Sequence, residues 1–213
     1  MFFQTVTTKK EVDIDLSTIQ KSAMLKVELA VGEYQNTWNV YVYPVINRQD
    51  TMVKDKKKKE DSFDLRDAEN TVCRHLVTPD CVEKTIEGSY IPVFWSPVHF
   101  PSSKPCGAII DTKHPIFADF PTEEYPDYQW KTLFDTAKGT YLNDFPGAKS
   151  IVEFVPNFVD CSETSPLFEY EKEGRKYLYC GFDLEQDRPE VKQLKYSIMK
   201  YLKEISVITF VVN

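Results

Sequence analysis

No apolar run in this 213-residue chain approaches the ~20 residues of a membrane-spanning helix, so no helical membrane protein is expected. The chain also lacks an excess of positive charge. Its 26 Lys and Arg face 33 Asp and Glu, for a net charge of −7. That balance opposes a phosphate backbone, so neither nucleic acid nor a membrane is an expected partner. Cysteine is sparse and badly spaced for pairing. Cys73, Cys81, Cys106, Cys161 and Cys180 are odd in number, include no CxxC and have no short-range histidine partner. A disulfide framework and a structural zinc site are therefore not expected. The thiols are expected to be free and mostly at least partly buried, and no metal or cofactor is expected. A signal peptide is not expected in this stretch: Met1-Phe2-Phe3-Gln4-Thr5 precedes Lys9 and Lys10, the wrong order for one. The expectation is a cytoplasmic chain, or a piece of a longer exported protein.

What the chain has in plenty is aromatic surface: 12 Tyr, 14 Phe and 3 Trp. Such residues build cores, and they also line carbohydrate platforms. Core packing is the default reading. The length suffices for one large domain or two small ones.

Hydropathy divides the chain in three. Residues 1–46 read as antiparallel strands, the end of a β-sandwich-like element. Glu11 to Leu16 and Met24 to Val31 alternate polar and apolar, with Leu25, Val27, Leu29 and Val31 on one face. Gly32 to Asn36 supply a turn, and Trp38 to Tyr43 form the next strand before Pro44. Residues 47–71, with consecutive Lys56 to Lys59, read as a polar loop or insertion. Residues 72–213 read as α/β, which makes the whole a mixed α/β fold. Thr78-Pro79-Asp80 starts a short helix to about Ile86, and Tyr125 to Ala137 is a helix presenting Trp130, Leu133 and Phe134. Ile91 to Trp95, Gly107 to Ile110 and Ser150 to Val155 are strands. Leu167 to Glu171 and Tyr177 to Phe182 form a hairpin turning at Gly174. Asp187 caps a last helix with a stripe at Val191, Leu194, Ile198, Tyr201/Leu202 and Ile205. Val207 to Val212 reads as a closing strand.

Val93-Phe94-Trp95-Ser96-Pro97-Val98-His99-Phe100 precedes Gly107 to Asp111, His114-Pro115, Phe120-Pro121-Thr122 and Gln129-Trp130. Tyr34-Gln35-Asn36-Thr37-Trp38 through Tyr43-Pro44 precedes this block, and Gly174 to Leu184 and Asp187-Arg188-Pro189 through Leu194 follow it. That order, from about 25 to 204, resembles the C-terminal region of family 2 glycoside hydrolases, the bacterial β-galactosidase and β-glucuronidase relatives. The resemblance implies an accessory α/β module similar in layout to class I glutamine amidotransferases, amidotransferase-like or flavodoxin-like. It implies as partners the upstream domains of a glycosidase, or further copies of the chain. Relatives carry a Gly-rich turn and an apolar strand just ahead of the Phe-Trp-Ser-Pro segment. Residues 66–90 here offer only a short helix and Gly88, which implies an abbreviated module.

Glycoside hydrolysis needs two carboxyls roughly 5–10 Å apart on a rigid scaffold. In that family a (β/α)₈ barrel of at least about 200 residues carries them, and this chain spends its length otherwise. No catalytic acid can be assigned by motif. Cys106-Gly107 precedes a strand and Cys180 lies inside one, so neither sits on a nucleophile elbow. Candidate ligand-binding residues are Trp95, His99, Asp111, His114, Tyr128 and Trp130. Trp95, Tyr128 and Trp130 suit stacking on a sugar ring; His99, Asp111 and His114 suit acid/base or metal chemistry. The bland alternatives are core packing for the tryptophans and turn capping for Asp111 and His114. Three functions follow: a non-catalytic accessory or interaction module, a small carbohydrate-binding protein using aromatic residues, and, weakest, a stand-alone hydrolase.

Overall fold

A computed structural model describes residues 13–46, 74–89, 104–157 and 161–208. The lysine-rich stretch, Ile91 to Trp95 and the Phe94-Trp95-Ser96-Pro97 segment lie outside them. The fold is mixed α/β, with a two-stranded antiparallel ribbon and a larger seven-stranded mixed sheet.

The ribbon comprises β1 (Ala23–Val31) and β2 (Tyr34–Val42), paired in unbroken register from Ala23 opposite Val42 to Val31 opposite Tyr34. Two residues make the turn. Gly32 takes φ +62° while Glu33 stays out of the left-handed region, the signature of a type II′ turn. The alternation expected over Glu11 to Leu16 gives no strand in its described part. Asp15 instead accepts a bond from the Ser17 N–H at 2.9 Å, a local turn that competes with extended pairing.

The large sheet contains β3 (Arg74–Val77), β4 (Ile86–Glu87), β5 (Gly107–Ile110), β6 (Lys138–Tyr141), β7 (Lys149–Val155), β8 (Thr164–Lys172) and β9 (Arg175–Cys180). Among the described residues only β3 with β9 is parallel; the other pairs are antiparallel. Strand β8 lies at the centre, with β7 along one edge and β9 and β6 sharing the other. The change of partner falls at Pro166, which has no N–H to donate. Ser165 compensates there: its hydroxyl donates to Val152 O at 2.5 Å and accepts from Leu167 N–H at 3.1 Å. The hairpin expected at Gly174 is present. Glu173 and Gly174 both take positive φ, and Lys172 pairs with Arg175.

Helix α1 (Lys131–Asp135) follows a 3-10 turn at Tyr128–Trp130, so the single helix expected from Tyr125 to Ala137 is broken in two. Its apolar side is as read: Trp130, Leu133 and Phe134 are buried. The helix expected after Thr78 reduces to one 3-10 turn, Pro79–Cys81. Helix α2 (Pro189–Ile208) carries the expected stripe, with Val191, Leu194 and Ile198 fully buried. It continues through Val207 and Ile208, where a strand had been expected. Propagation of an established helix costs less than starting a strand with no partner, so the β-branched end follows the helix. The core between α2 and the sheet centres on Trp130, ringed by Phe117, Phe120, Phe134 and Phe182 at 5.2–6.0 Å between centroids. Among the described residues, no helix is long and apolar enough to cross a membrane.

Candidate functional site

The base of the ribbon is keyed into the body by the segment from Phe120 to Trp130. Asp127 caps the 3-10 turn by accepting the Gln129 N–H at 3.4 Å, which orients its second oxygen outward. That oxygen accepts a short hydrogen bond from the Tyr41 hydroxyl and a longer one from Asn39 Nδ2 at 3.4 Å. Two residues along β2's exit, the Tyr43 hydroxyl donates to Gln129 Oε1 at 2.5 Å. Gln129, itself buried, donates from Nε2 to Pro121 O at 2.8 Å. The Tyr43 ring stacks at 8° to Phe120, 6.1 Å between centroids. Trp130 Nε1 donates to Thr122 Oγ1 at 2.8 Å, which ties the lock to the core. Both phenols are held well above the ordinary tyrosine pKa. Burial is the larger cause for each, followed by the Asp127 hydrogen bond for Tyr41 and the Glu190 carboxylate for Tyr43. They stay protonated and act as donors.

Beyond this base the ribbon stands clear of the body. Leu25, Val27, Leu29 and Val31 share a face with Tyr34, Trp38 and Val40 across the hairpin. All of these except Leu25, at the half-buried base, are exposed; Leu29 is 56%, Val31 66% and Tyr34 76% accessible. The opposite face carries Lys26, Glu28, Gln35, Thr37 and Asn39. The alternation in the sequence therefore marks a half-apolar ribbon, and among the described residues the apolar half meets no core. Between the ribbon base and the body lies a cleft of about 560 Å³, lined by Asn39, Tyr41, Tyr128, Lys131, Arg188 and Glu190 among others.

Of the six residues singled out from the sequence, the four that are described, Asp111, His114, Tyr128 and Trp130, are not brought together into one site. Trp95 and His99 lie outside the described residues. Trp130 is 0% exposed and offers no face to a sugar, because its ring is enclosed by phenylalanines. Tyr128, 74% exposed, lines the cleft under the ribbon. Asp111 borders a separate hollow of about 420 Å³ with Glu124, Ser150 and Glu153. Its carboxylate accepts the Lys113 N–H at 3.1 Å, and His114 Nδ1 accepts the Ile116 N–H at 3.3 Å at the start of the 3-10 turn Pro115–Phe117. Both therefore cap turns, the bland alternative read from the sequence. His114 also packs edge-on against Tyr201, 5.2 Å between centroids, with Nε2 3.8 Å from Glu169. Among the described residues, no three His, Cys, Asp or Glu side chains converge as a metal-holding group.

The thiols correct one expectation. Cys81, Cys106 and Cys161 are exposed; only Cys180, of those described, is buried. Burial raises the Cys180 thiol to about 12, far from a nucleophile's range. The tyrosine lock was missed, although its signal was present. Tyr41 lies on the polar face of β2 and Tyr43 follows two residues on, just past its end, where a phenol needs a partner.

Residues 3–44, which contain the whole ribbon, match the model of a domain of unknown function (DUF8488). No curated protein matches the chain. A separate model, described as a domain of unknown function (DUF8487), matches residues 65–207, well over half of the sequence, and the chain belongs to that family.

Proposed function

We propose that this chain is a non-catalytic interaction module, in which an α/β body holds out a β-ribbon to dock against another protein surface. The observation that carries the reading is an apolar sheet face left in solvent on a ribbon whose base is firmly locked. Isolated two-stranded ribbons are marginal in water, and contiguous exposed apolar surface marks interaction sites. In the lock Tyr41 bonds Asp127, while Tyr43 meets Phe120 and Gln129, next to the Gln129–Pro121 and Trp130–Thr122 bonds; Tyr43, Phe120, Pro121, Thr122, Gln129 and Trp130 form its larger part. These are among the segments in which the chain resembles family 2 glycoside hydrolases. On that basis the module is an accessory part of a carbohydrate-active protein whose parent activity is hydrolysis of O-glycosyl bonds. The amidotransferase-like layout implied by the same resemblance has one supporting feature, the parallel β3–β9 pair. The antiparallel neighbours of β8 depart from that layout.

The test is a photo-crosslinking amino acid in place of Leu29, in the full-length protein in its own cells. One dominant adduct is expected, lost when Val31 is also changed to Asp. Diffuse labelling, or an adduct indifferent to that change, would sink the docking reading. Turnover of aryl-glycosides by the purified chain, abolished by a single Asp or Glu substitution, would replace it with a hydrolase.

The second reading, a small carbohydrate-binding protein, has one observation in its favour. The cleft under the ribbon has ligand-site dimensions, and Tyr128 exposes an aromatic face at its rim. Calorimetric binding of a mono- or disaccharide, lost on Tyr128→Ala without change in the melt, would favour it.

A further inference from the structure

We propose that the partner of the ribbon is a second copy of this chain, joined edge to edge through β1 in one antiparallel register. The inference rests on the docking reading above and names its occupant. A two-residue hairpin loop is closed by a hydrogen-bonded pair, so Val31 and Tyr34 exchange backbone bonds, as does every second pair back along the ribbon. The backbone groups of Met24, Lys26, Glu28 and Ala30 therefore point away from β2. Among the described residues β1 and β2 pair only with each other, so this nine-residue edge without proline is a ready template for another strand.

Three conditions select the register. Full overlap of two antiparallel copies of Ala23–Val31 puts Ala23 opposite Val31, Met24 opposite Ala30, Leu25 opposite Leu29, and Val27 opposite its own copy on the twofold axis. That arrangement matches outward-pointing residues with outward-pointing residues, so the ladder can form. It also places Lys26 opposite Glu28 of the second copy, twice by symmetry. A slip of one residue mismatches the hydrogen-bonding phase. A slip of two, either way, sets Lys26 against Lys26 or Glu28 against Glu28, which directly opposed strands penalise. On the other face, Leu25 meets Leu29 and Val27 meets Val27, so the apolar flanks shield one another. The ribbon becomes a four-stranded sheet, past the width at which two-stranded ribbons are marginal. The interface is isologous and closes as a dimer.

The experiment is sedimentation equilibrium of the full chain with three variants. Lys26→Glu and Glu28→Lys should each weaken dimerisation by about tenfold or more, since each creates two like-charge pairs per dimer. The double variant K26E/E28K restores opposite charges in the same register and should regain most of the wild-type affinity. Both exchanged positions, Lys26 and Glu28, are exposed on β1, and circular dichroism of each variant should match the wild type. A wild-type chain that stays monomeric at every concentration, a dimer on which the single reversals are silent, or a double variant as weak as the singles would each overturn the proposal. A crosslinked adduct at position 29 to a different protein would also overturn it, while leaving the docking reading intact.

Discussion

Cys180 ends β9 at 2% exposure, and burial holds its thiol at about 12. The unfolded thiol titrates near 8.5. Below about pH 8.5 both states keep the proton and the contribution to stability is constant. As pH rises from there towards 12, only the unfolded state releases it, so stability falls. The urea midpoint is expected to decline between pH 8 and 9.5, a window below the tyrosine titrations. Cys180→Ala should flatten that slope whatever it does to the absolute midpoint. A parallel slope in the variant would show that the decline comes from elsewhere. In the native state Cys81, Cys106 and Cys161 should accept a thiol label at neutral pH while Cys180 does not. At this scale the sequence was partly readable. Asp111 and His114 announced turn capping by lying next to Thr112-Lys113 and Pro115. Exposure of Cys81, Cys106 and Cys161 was hidden, because no local pattern tells a surface thiol from a core one.

The elements that declared themselves were those whose stabilisation is local. Helix α2 shows Pro189 at its start and a stripe at helical period, and Lys192 pairs back to Asp187 across the first turn. The β8–β9 hairpin shows its turn residues. Strand β6 did not show, since Lys138-Gly139-Thr140-Tyr141 has neither length nor alternation. It is a strand through tertiary contact: Lys138 donates to Gly181 O at 2.8 Å, and a Cβ on Gly181 would come within 1.7 Å of Lys138 O. The ribbon belongs between these cases. Its pairing is local, but its position depends on the tyrosine lock. Tyr43→Phe keeps the stack on Phe120 and removes the donor to the buried Gln129 Oε1. Leaving that acceptor unsatisfied should cost about 1–3 kcal/mol. Because the ribbon is the side that can move, the loss should appear as faster amide exchange over Ala23–Val42, with the exchange of β7 and β8 unchanged. Uniformly faster exchange across the sheet would mean that the lock supports the whole body.

At the scale of the molecule, the mixed α/β class was legible and the separation of ribbon from body was only half so. The alternation of Leu25, Val27, Leu29 and Val31 is the pattern of a half-buried strand whether or not a core exists to bury it. Nothing in one sequence says which. The structure places the body's core around Trp130, α2 and the sheet, and among the described residues it holds the ribbon at the base, through Tyr41 of β2 and Tyr43 just beyond it. A body so built should not need the tip. Replacing residues 26–39 by Asn-Gly would join Leu25 to Val40, a hydrogen-bonding pair that such a turn closes. The shortened chain should keep its near-ultraviolet dichroism and a cooperative melt within a few degrees, since surface changes away from buried contacts are worth about ±0.5 kcal/mol. It should also bind less of a hydrophobic dye and sediment as a monomer. A shortened chain that lost its cooperative transition would show that the ribbon tip takes part in the body's own folding, and the apolar face would then need an intramolecular partner rather than a second molecule.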